Sequence, residues 1–252
     1  MKKLLLCITI LYVGILLFVF RTNTIDQITT PTPQNTSNTI LPNALERFPE
    51  LLEWKRPEGP AKVALQVGHW KNHEFPDELE RLKNNTGATW GTLSETNVNY
   101  EIAIRTKSIL ESNGVIVEIL PVTIPPSYYA DAFISIHADG STDTSKSGFK
   151  VASPRRDYSG KSTTLSEYIQ QEYQLITLME IDPVVTRNMT GYYAFSWWRF
   201  KHAVHPMTPS TILETGFLTS YTDRLTIVDN PEASAQGLAN GVLKYLESEE
   251  LI

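Results

Sequence analysis

Three polar residues follow apolar, strand-like runs in this sequence. His69 comes after ALQVG, His137 after FISI, and Glu214 after STIL. A strand that is buried on both faces has no structural need of a polar residue at its end. In open α/β sheets the ligand site lies beyond the carboxyl ends of the parallel strands. We therefore expect these three side chains to converge at one edge of a sheet.

Two histidines and a carboxylate form the protein ligands of many catalytic zinc sites, in which the fourth position is left for water. A further carboxylate is then required to move protons. A lone histidine at a strand end is more often a hydrogen-bonded structural residue, so the prediction depends on all three strand ends together. The identity of the third ligand stays open at this point, because Glu95, Glu101 and Glu111 all lie on one predicted helix.

The elements that would position these residues begin at Lys62, where short apolar runs alternate with amphipathic stretches. This pattern is typical of an α/β domain. Helices are predicted over residues 95–113, with Ser94 as the N-cap, over residues 162–180, and over EASAQGLANGVLKYLES. The predicted strands are KVALQVG, VIVEILP, DAFISIH, GFKVAS and STILETGF. We therefore expect a single α/β domain with a mixed, mostly parallel sheet flanked by helices.

The N-terminus differs in kind from the rest of the chain. Lys2 and Lys3 precede an unbroken apolar run over residues 4–20, which Arg21 follows. Such a segment is an export or anchoring signal, and no small-x-small cleavage pattern comes after it. We predict a membrane anchor or uncleaved signal over residues 1–21. The positive-inside bias then places the remainder outside the cytoplasmic membrane, in the cell envelope, or secreted if the signal is cleaved.

The composition of the chain indicates where its domains begin and which classes of partner are excluded. Residues 22–60 are rich in Thr, Pro and Asn, which favours a flexible linker, and residues 61–252 form the predicted catalytic domain. Cys7 is the only cysteine, so the exported part must be held by its core or by a metal rather than by disulfides. A net charge of -6 supplies no basic field for phosphate backbones, which argues against nucleic acid as a partner.

Other histidines and aromatic residues offer competing sites. His69 and His73 lie four residues apart in HWKNHE and could share a metal if they lay on a helix, although Pro76 favours a loop. His202 and His205 could line the cleft or lie on the surface. The aromatic residues of YYAFSWW could stack on sugar rings, but a stripe of this kind is more often part of a core.

Four segments, in order and at about the expected spacing, resemble the zinc-dependent N-acetylmuramoyl-L-alanine amidases. These segments are VALQVGHW, GATWGTLSETNVNYEIAIRTKSILESNGVIVEIL, ADAFISIHADGS and STILETGFLTSYTDRLTI, so the resemblance spans roughly residues 61–248. The family consists of cell-wall hydrolases with a mixed α/β catalytic domain. The resemblance implies hydrolysis of the amide between N-acetylmuramic acid and L-alanine in peptidoglycan. It also implies a Zn²⁺ cofactor held by His69, Glu95 and His137, with Glu214 as the catalytic glutamate.

The chain departs from the family pattern at three places. Gln66 and Val67 stand where the family usually has Asp-Pro before its Gly-His, and Trp70 stands where it usually has a glycine after it. The pattern therefore does not identify what supports His69. Residues 71–85, KNHEFPDELERLKNN, lengthen the loop that follows and are a candidate lid or specificity loop. Asp139 stands where the family often has asparagine.

Two alternatives to the amidase stay open from the sequence. One keeps the site but cuts another bond, as an exported zinc peptidase or amidohydrolase. The other is a wall-binding domain that has the fold without turnover. The presence of all four expected polar residues favours an enzyme. The sequence identifies neither the peptidoglycan chemotype nor an activator protein.

Overall fold

The computed structural model describes residues 48–252, which belong to one compact unit over Thr39–Ile252. The predicted membrane segment 1–21 lies outside the described residues, as does most of the predicted linker 22–60. Among residues 48–252, none of the helices has both the length and the apolar character needed to cross a bilayer.

The described residues contain seven strands, five of which form one mixed sheet. In chain order they are β1 (Lys62–Val67), β2 (Thr89–Trp90), β3 (Leu93–Ser94), β4 (Ile116–Leu120), β5 (Ala132–Asp139), β6 (Lys150–Ala152) and β7 (Ser210–Phe217). The sheet order is β4-β1-β5-β7-β6, and β2 and β3 form a separate hairpin. All neighbours in the sheet are parallel except β6, which runs antiparallel to β7. The predicted mixed, mostly parallel sheet is confirmed.

Within residues 48–252, five helices accompany the sheet. They are α1 (Glu95–Ser112), α2 (Ser162–Thr177), α3 (Arg187–Thr190), α4 (Tyr221–Ile227) and α5 (Pro231–Ser248). Short 3-10 turns span Pro49–Leu51, Asn72–Glu74, Asp77–Leu82 and Tyr193–Phe195. The start of α1 is as predicted, because the Ser94 hydroxyl accepts a hydrogen bond from the Asn97 backbone N–H at 3.3 Å. The second helix ends at Thr177, before the predicted residue 180, because Leu178 adopts a left-handed conformation with φ 57°.

The central strands bury both of their faces, and side chains alternate between the two sides. Val63 and Leu65 of β1 face the side where α1, α2 and α5 pack together. On the opposite side, Ala64 belongs to a second apolar cluster, which contains residues 193–195 and two side chains of the loop insert, Phe75 and Leu79. The insert over residues 71–85 is therefore packed against the sheet layer through its own buried side chains.

The residues just before β1 lie against the domain, although they were predicted to be part of a linker. The Arg56 guanidinium forms a two-point ion pair with the Asp131 carboxylate, with Nε to Oδ1 at 2.6 Å and Nη2 to Oδ2 at 2.8 Å. Trp54 stacks on His205, with ring centroids 5.4 Å apart. The described residues before 61 are thus attached to the domain, because Arg56 neutralises a buried carboxylate.

Replacing Arg56 tests this attachment. Burial alone would raise the pKa of Asp131, but the hydrogen bonds from Arg56 and from the Lys62 backbone N–H outweigh it, so the pKa is lowered. Arg56→Met should reduce the free energy of unfolding at pH 7 by about 2 kcal/mol, since hydrogen bonds to charged groups contribute about that much. A carboxylate with a lowered folded pKa stabilises the protein above its unfolded pKa of about 3.9, and this stabilisation is lost on acidification.

Urea unfolding at pH 7 and at pH 3 measures both effects. The difference between wild type and Arg56→Met should shrink at the lower pH. Lys55→Met removes the same charge from an exposed neighbouring residue and should change the unfolding free energy by less than about 0.5 kcal/mol. Equal destabilisation by the two substitutions at pH 7 would contradict the attachment.

Candidate active site

The structure brings His69, Glu95 and His137 together. His69 lies in the turn after β1, Glu95 is the first residue of α1, and His137 lies near the end of β5. One nitrogen or oxygen of each side chain lies within 4.8 Å of the other two. The cluster therefore lies at the carboxyl ends of two neighbouring parallel strands and at the start of a helix. This is the place in the sheet that the sequence predicts for the site.

Glu95 is ionised at the centre of this cluster. Its carboxylate is buried, and it accepts hydrogen bonds from the Ala88 N–H at 2.7 Å and from the Ala138 N–H at 3.2 Å. Burial would raise the pKa of Glu95, but a proton shared with the facing nitrogens of His137 and His69 reverses this effect and lowers the pKa far below its usual range. The position at the helix N-terminus also favours the negative charge.

The His69 ring is oriented by the loop insert. Its Nδ1 lies 2.7 Å from the backbone oxygen of Asn85, at the end of the insert. A carbonyl oxygen can only accept, so Nδ1 carries the proton, and in the neutral ring Nε2 carries a lone pair. Nε2 lies 3.4 Å from Oε1 of Glu95. A lone pair and a carboxylate oxygen at this distance repel each other unless a cation, either a proton or a metal ion, lies between them.

The donor set and its spacing fit zinc. The Nδ1 atom of His137 lies 2.9 Å from Oε1 of Glu95, and the Nε2 atom of His69 lies 3.4 Å from the same oxygen. Tetrahedral zinc with bonds of about 2.0 Å places its ligand atoms about 3.3 Å apart. Two imidazole nitrogens and one carboxylate oxygen are the ligand types that catalytic zinc sites use. The cluster can therefore hold one divalent metal ion.

Glu214 lies beside the cluster rather than in it. It stands in β7 opposite His137 of β5 in the parallel register, and opposite Lys150 of β6 in the antiparallel one. Burial raises the pKa of Glu214 well above its usual range, the charges of Asp139 and Glu95 raise it further, and the charge of Lys150 opposes them. This side chain is a second carboxylate at the same end of the sheet, available for proton transfer.

A buried lysine next to Glu214 was missed by sequence reasoning. Lys150 Nζ lies 2.6 Å from Oδ2 of Asp139 and 2.6 Å from Oδ2 of Asp182. Asp139, the residue that stands where the family often has asparagine, thus shares an ammonium group with a second carboxylate. The sequence did contain a signal for this ion pair, because Lys150 stands between Phe149 and Val151 in a predicted strand. A lysine in a buried strand is rarely found without acidic partners.

The cluster and Glu214 lie in a cavity of about 930 Å³. Phe75, Arg81 and Leu82 of the insert line it, and Tyr192 lines it from residues 186–193. The insert is fixed in place, since the Glu78 carboxylate accepts hydrogen bonds from the backbone N–H groups of residues 201 and 202 at 2.9 and 2.8 Å. The insert therefore forms a wall of the cavity.

The competing histidines do not join the site. His73 is exposed and lies in a 3-10 turn, so it shares no helix face with His69. For His202 and His205 the sequence left open a place in the cleft or on the surface, and neither residue lines the cavity. The Nδ1 atom of His202 lies 2.9 Å from the Ile124 backbone oxygen, and His205 stacks on Trp54. Both rings are engaged in packing outside the cavity.

The aromatic run YYAFSWW divides between core and site. Tyr193 and Phe195 are buried in the second apolar cluster, as a stripe of this kind predicts. Tyr192 lies at the site instead, with its hydroxyl oxygen 3.4 Å from Nε2 of His137. Its sequence neighbours gave no sign of this contact, which joins residues far apart in the chain.

The sequence model of the N-acetylmuramoyl-L-alanine amidase family matches residues 63–244. The chain belongs to this family. No curated protein sequence is significantly similar to it. The match covers every residue of the cluster as well as Glu214, so the amidase family and the geometry point to the same part of the chain.

Solved amidase structures share the fold. The amidase of Clostridium difficile 630 is 18% identical with a TM-score of 0.55, and the match covers 76% of this chain and 100% of that one. The apo form of amidase Ami1 from Mycobacterium abscessus is 19% identical with a TM-score of 0.54, and the match covers 75% and 100%. The CwlD amidase of Clostridioides difficile, in complex with the GerS lipoprotein, is 18% identical with a TM-score of 0.54, and the match covers 75% and 99%.

Glycine at position 87 is required for the cluster. Its φ is +78°, and a Cβ atom there would lie 2.4 Å from Oε2 of Glu95 and 2.8 Å from Cδ2 of His69. Gly87→Ala should therefore displace two of the three metal-facing side chains and weaken Zn²⁺ binding by about tenfold or more. Competition with a chromophoric chelator measures the affinity.

Gly91→Ala is the matched control for this change. Gly91 also has a positive φ, +58°, but a Cβ atom there meets nothing within 4 Å. Gly91→Ala should therefore lower the stability of the protein by a similar backbone strain of about 1 kcal/mol, but without a steric clash. Indistinguishable Zn²⁺ affinities of the two alanine variants would contradict the arrangement of the cluster.

Proposed function

We propose that this amidase hydrolyses the bond between N-acetylmuramic acid and L-alanine in peptidoglycan by means of one Zn²⁺ ion held by His69, Glu95 and His137. The observation that carries the proposal is the convergence of these three ligand atoms within 4.8 Å, in a cavity of a member of the amidase family. Glu214 in the same cavity supplies the proton-transfer group that hydrolysis requires.

When bound, Zn²⁺ polarises the amide carbonyl and lowers the pKa of water from about 15.7 to about 7. The protein holds the three ligand groups ready for it. The Asn85 carbonyl keeps the Nδ1 proton on His69, which turns Nε2 inward. The Ala88 and Ala138 N–H groups hold the two oxygens of Glu95. These contacts fix the ligand groups without occupying their metal-facing atoms.

Glu214 accepts the proton of the attacking water and passes it to the departing amine of alanine. Its place opposite His137 in the sheet brings the carboxylate to the cluster, while the three-residue set is complete without it. Burial favours its protonated form, which is the form that must deliver a proton to the leaving nitrogen. Lys150 holds Asp139 at 2.6 Å and so limits the negative charge that acts on Glu214.

The cavity accommodates a substrate that carries both a sugar and a peptide. Its volume of about 930 Å³ is in the upper part of the usual range for ligand sites. The insert over residues 71–85 forms one wall and residues 186–193 form another. A loop that lines the cavity would contact a substrate bound there, which supports a role of the insert in specificity.

The N-terminal segment supports an envelope location. Lys2, Lys3 and the apolar run over residues 4–20 have the pattern of an export or anchoring signal. Anchored by this segment, or secreted after its cleavage, the catalytic domain would act on peptidoglycan outside the cytoplasmic membrane. Mass measurement of the native N-terminus distinguishes the anchored from the cleaved form.

Substitution of Glu214 tests the proton-transfer role. Glu214→Gln should lower kcat by about 10²- to 10⁴-fold, because the amide cannot take up the water proton. Its zinc content should equal that of wild type, since Glu214 lies outside the cluster. Glu101→Gln, which neutralises an exposed carboxylate of α1, serves as the control and should keep full activity. Full hydrolytic activity of zinc-loaded Glu214→Gln would contradict the assignment of Glu214 as the proton-transfer group.

Metal removal and product analysis test the reaction itself. A chelator should abolish the appearance of free N-terminal alanine in purified peptidoglycan, and one equivalent of Zn²⁺ should restore it. The new termini are identified by N-terminal labelling and mass spectrometry. A shortened stem peptide without new N-terminal alanine would indicate a peptidase instead. Metal binding without any new terminus would indicate a wall-binding domain.

A further inference from the structure

The Gln66 side chain is fully buried and uses its amide in four hydrogen bonds. Its Nε2 donates to the Val122 backbone oxygen at 2.8 Å and to the Tyr193 hydroxyl at 2.7 Å. Its Oε1 accepts from the Ser135 hydroxyl at 2.7 Å and from the Tyr192 hydroxyl at 3.0 Å. These bonds satisfy the amide completely, so its orientation is fixed.

The direction of each bond in this network follows from one backbone carbonyl. The oxygen of Val122 can only accept, so the NH₂ end of Gln66 must face it and the Oε1 end must face Tyr192. An amide oxygen can only accept as well. The Tyr192 hydroxyl therefore donates its single proton to Gln66. Its oxygen can only accept hydrogen bonds from any other neighbour.

The neighbour of that oxygen is His137, whose Nε2 atom lies 3.4 Å away. The Tyr192 oxygen can only accept in this contact, so the contact is a hydrogen bond when the proton is on Nε2 of His137. In the neutral ring Nδ1 then carries the lone pair, and it lies 2.9 Å from the ionised Glu95 carboxylate. The Asn85 carbonyl imposes the same arrangement on His69, with the two nitrogens exchanged.

We infer that Gln66 and Tyr192 are positioning residues that fix His137 with its proton on Nε2 and present its Nδ1 atom to the metal. The inference rests on the proposed zinc site and adds to it the groups that orient its second histidine. It also explains the first departure from the family pattern, since Gln66 supports His137 through Tyr192, whereas Asn85 supports His69. Loss of such supporting hydrogen bonds typically weakens metal binding by about 10- to 100-fold.

Tyr192→Phe removes only the hydroxyl group and leaves Nε2 of His137 without its acceptor. In the full-length protein we expect Zn²⁺ affinity, measured by chelator competition, to fall by about tenfold or more. The visible absorption spectrum of the Co²⁺-substituted protein should also change, because the ligand field depends on the orientation and basicity of His137. Gln66→Met, which removes the acceptor of the Tyr192 proton at similar volume, should change affinity and spectrum in the same direction.

Tyr193→Phe is the matched control. It removes a buried hydroxyl from the same network, but that hydroxyl bonds to Gln66 and Val122 and leaves the Tyr192 contact to His137 in place. Its Zn²⁺ affinity and Co²⁺ spectrum should remain those of wild type. Melting temperatures of the three metal-free variants separate a loss of folding from a loss of metal binding.

Two results would overturn the inference. One is a Tyr192→Phe or Gln66→Met variant that folds and binds Zn²⁺ as tightly as wild type with the same Co²⁺ spectrum. The other is an equal loss in the Tyr193→Phe control, which would indicate a general packing role for the network. Either result leaves the proposed function intact. A wild-type protein that binds no zinc would overturn both.

Discussion

A buried carboxylate faced by two imidazole rings is the interaction on which the rest of the site depends. Glu95 is only 3% exposed and still ionised, and burial of an unpaired carboxylate costs several kcal/mol. Two backbone N–H groups offset part of this cost. The remaining charge faces His69 and His137, whose inward nitrogens repel the carboxylate unless a cation lies between them. The arrangement is therefore stabilised by the ion that the reaction requires.

The fold supplies this arrangement from separate parts of the chain. The carboxyl ends of β1 and β5 carry the histidines, the start of α1 carries the acid, and β7 places Glu214 next to them. The loop insert contributes a backbone oxygen at Asn85, and residues 186–193 contribute Tyr192. Because neither loop provides a metal-facing atom, both can hold the ligand groups and shape the cavity without altering the metal-facing donor set.

Sequence reasoning predicted the parts of the site that local patterns encode. Polar residues that end apolar strands signalled His69 and His137, and the N-cap at Ser94 marked the start of the helix that carries Glu95. It missed Lys150, Tyr192 and the backbone oxygen of Asn85. Their roles arise from contacts between distant segments, and a backbone oxygen has no residue type to signal it. The attachment of residues 48–60 was missed for the same reason, since composition alone does not reveal the ion pair to a buried aspartate.

The metal position is the most direct test of this account. Crystals of the zinc-loaded protein, with anomalous diffraction recorded on both sides of the zinc absorption edge, locate the ion independently of any activity. We predict one peak bonded to Nε2 of His69, to the carboxylate of Glu95 and to Nδ1 of His137, with Glu214 outside bonding distance. A peak at another group of residues, bonding through the opposite ring nitrogens, or no bound zinc would contradict it.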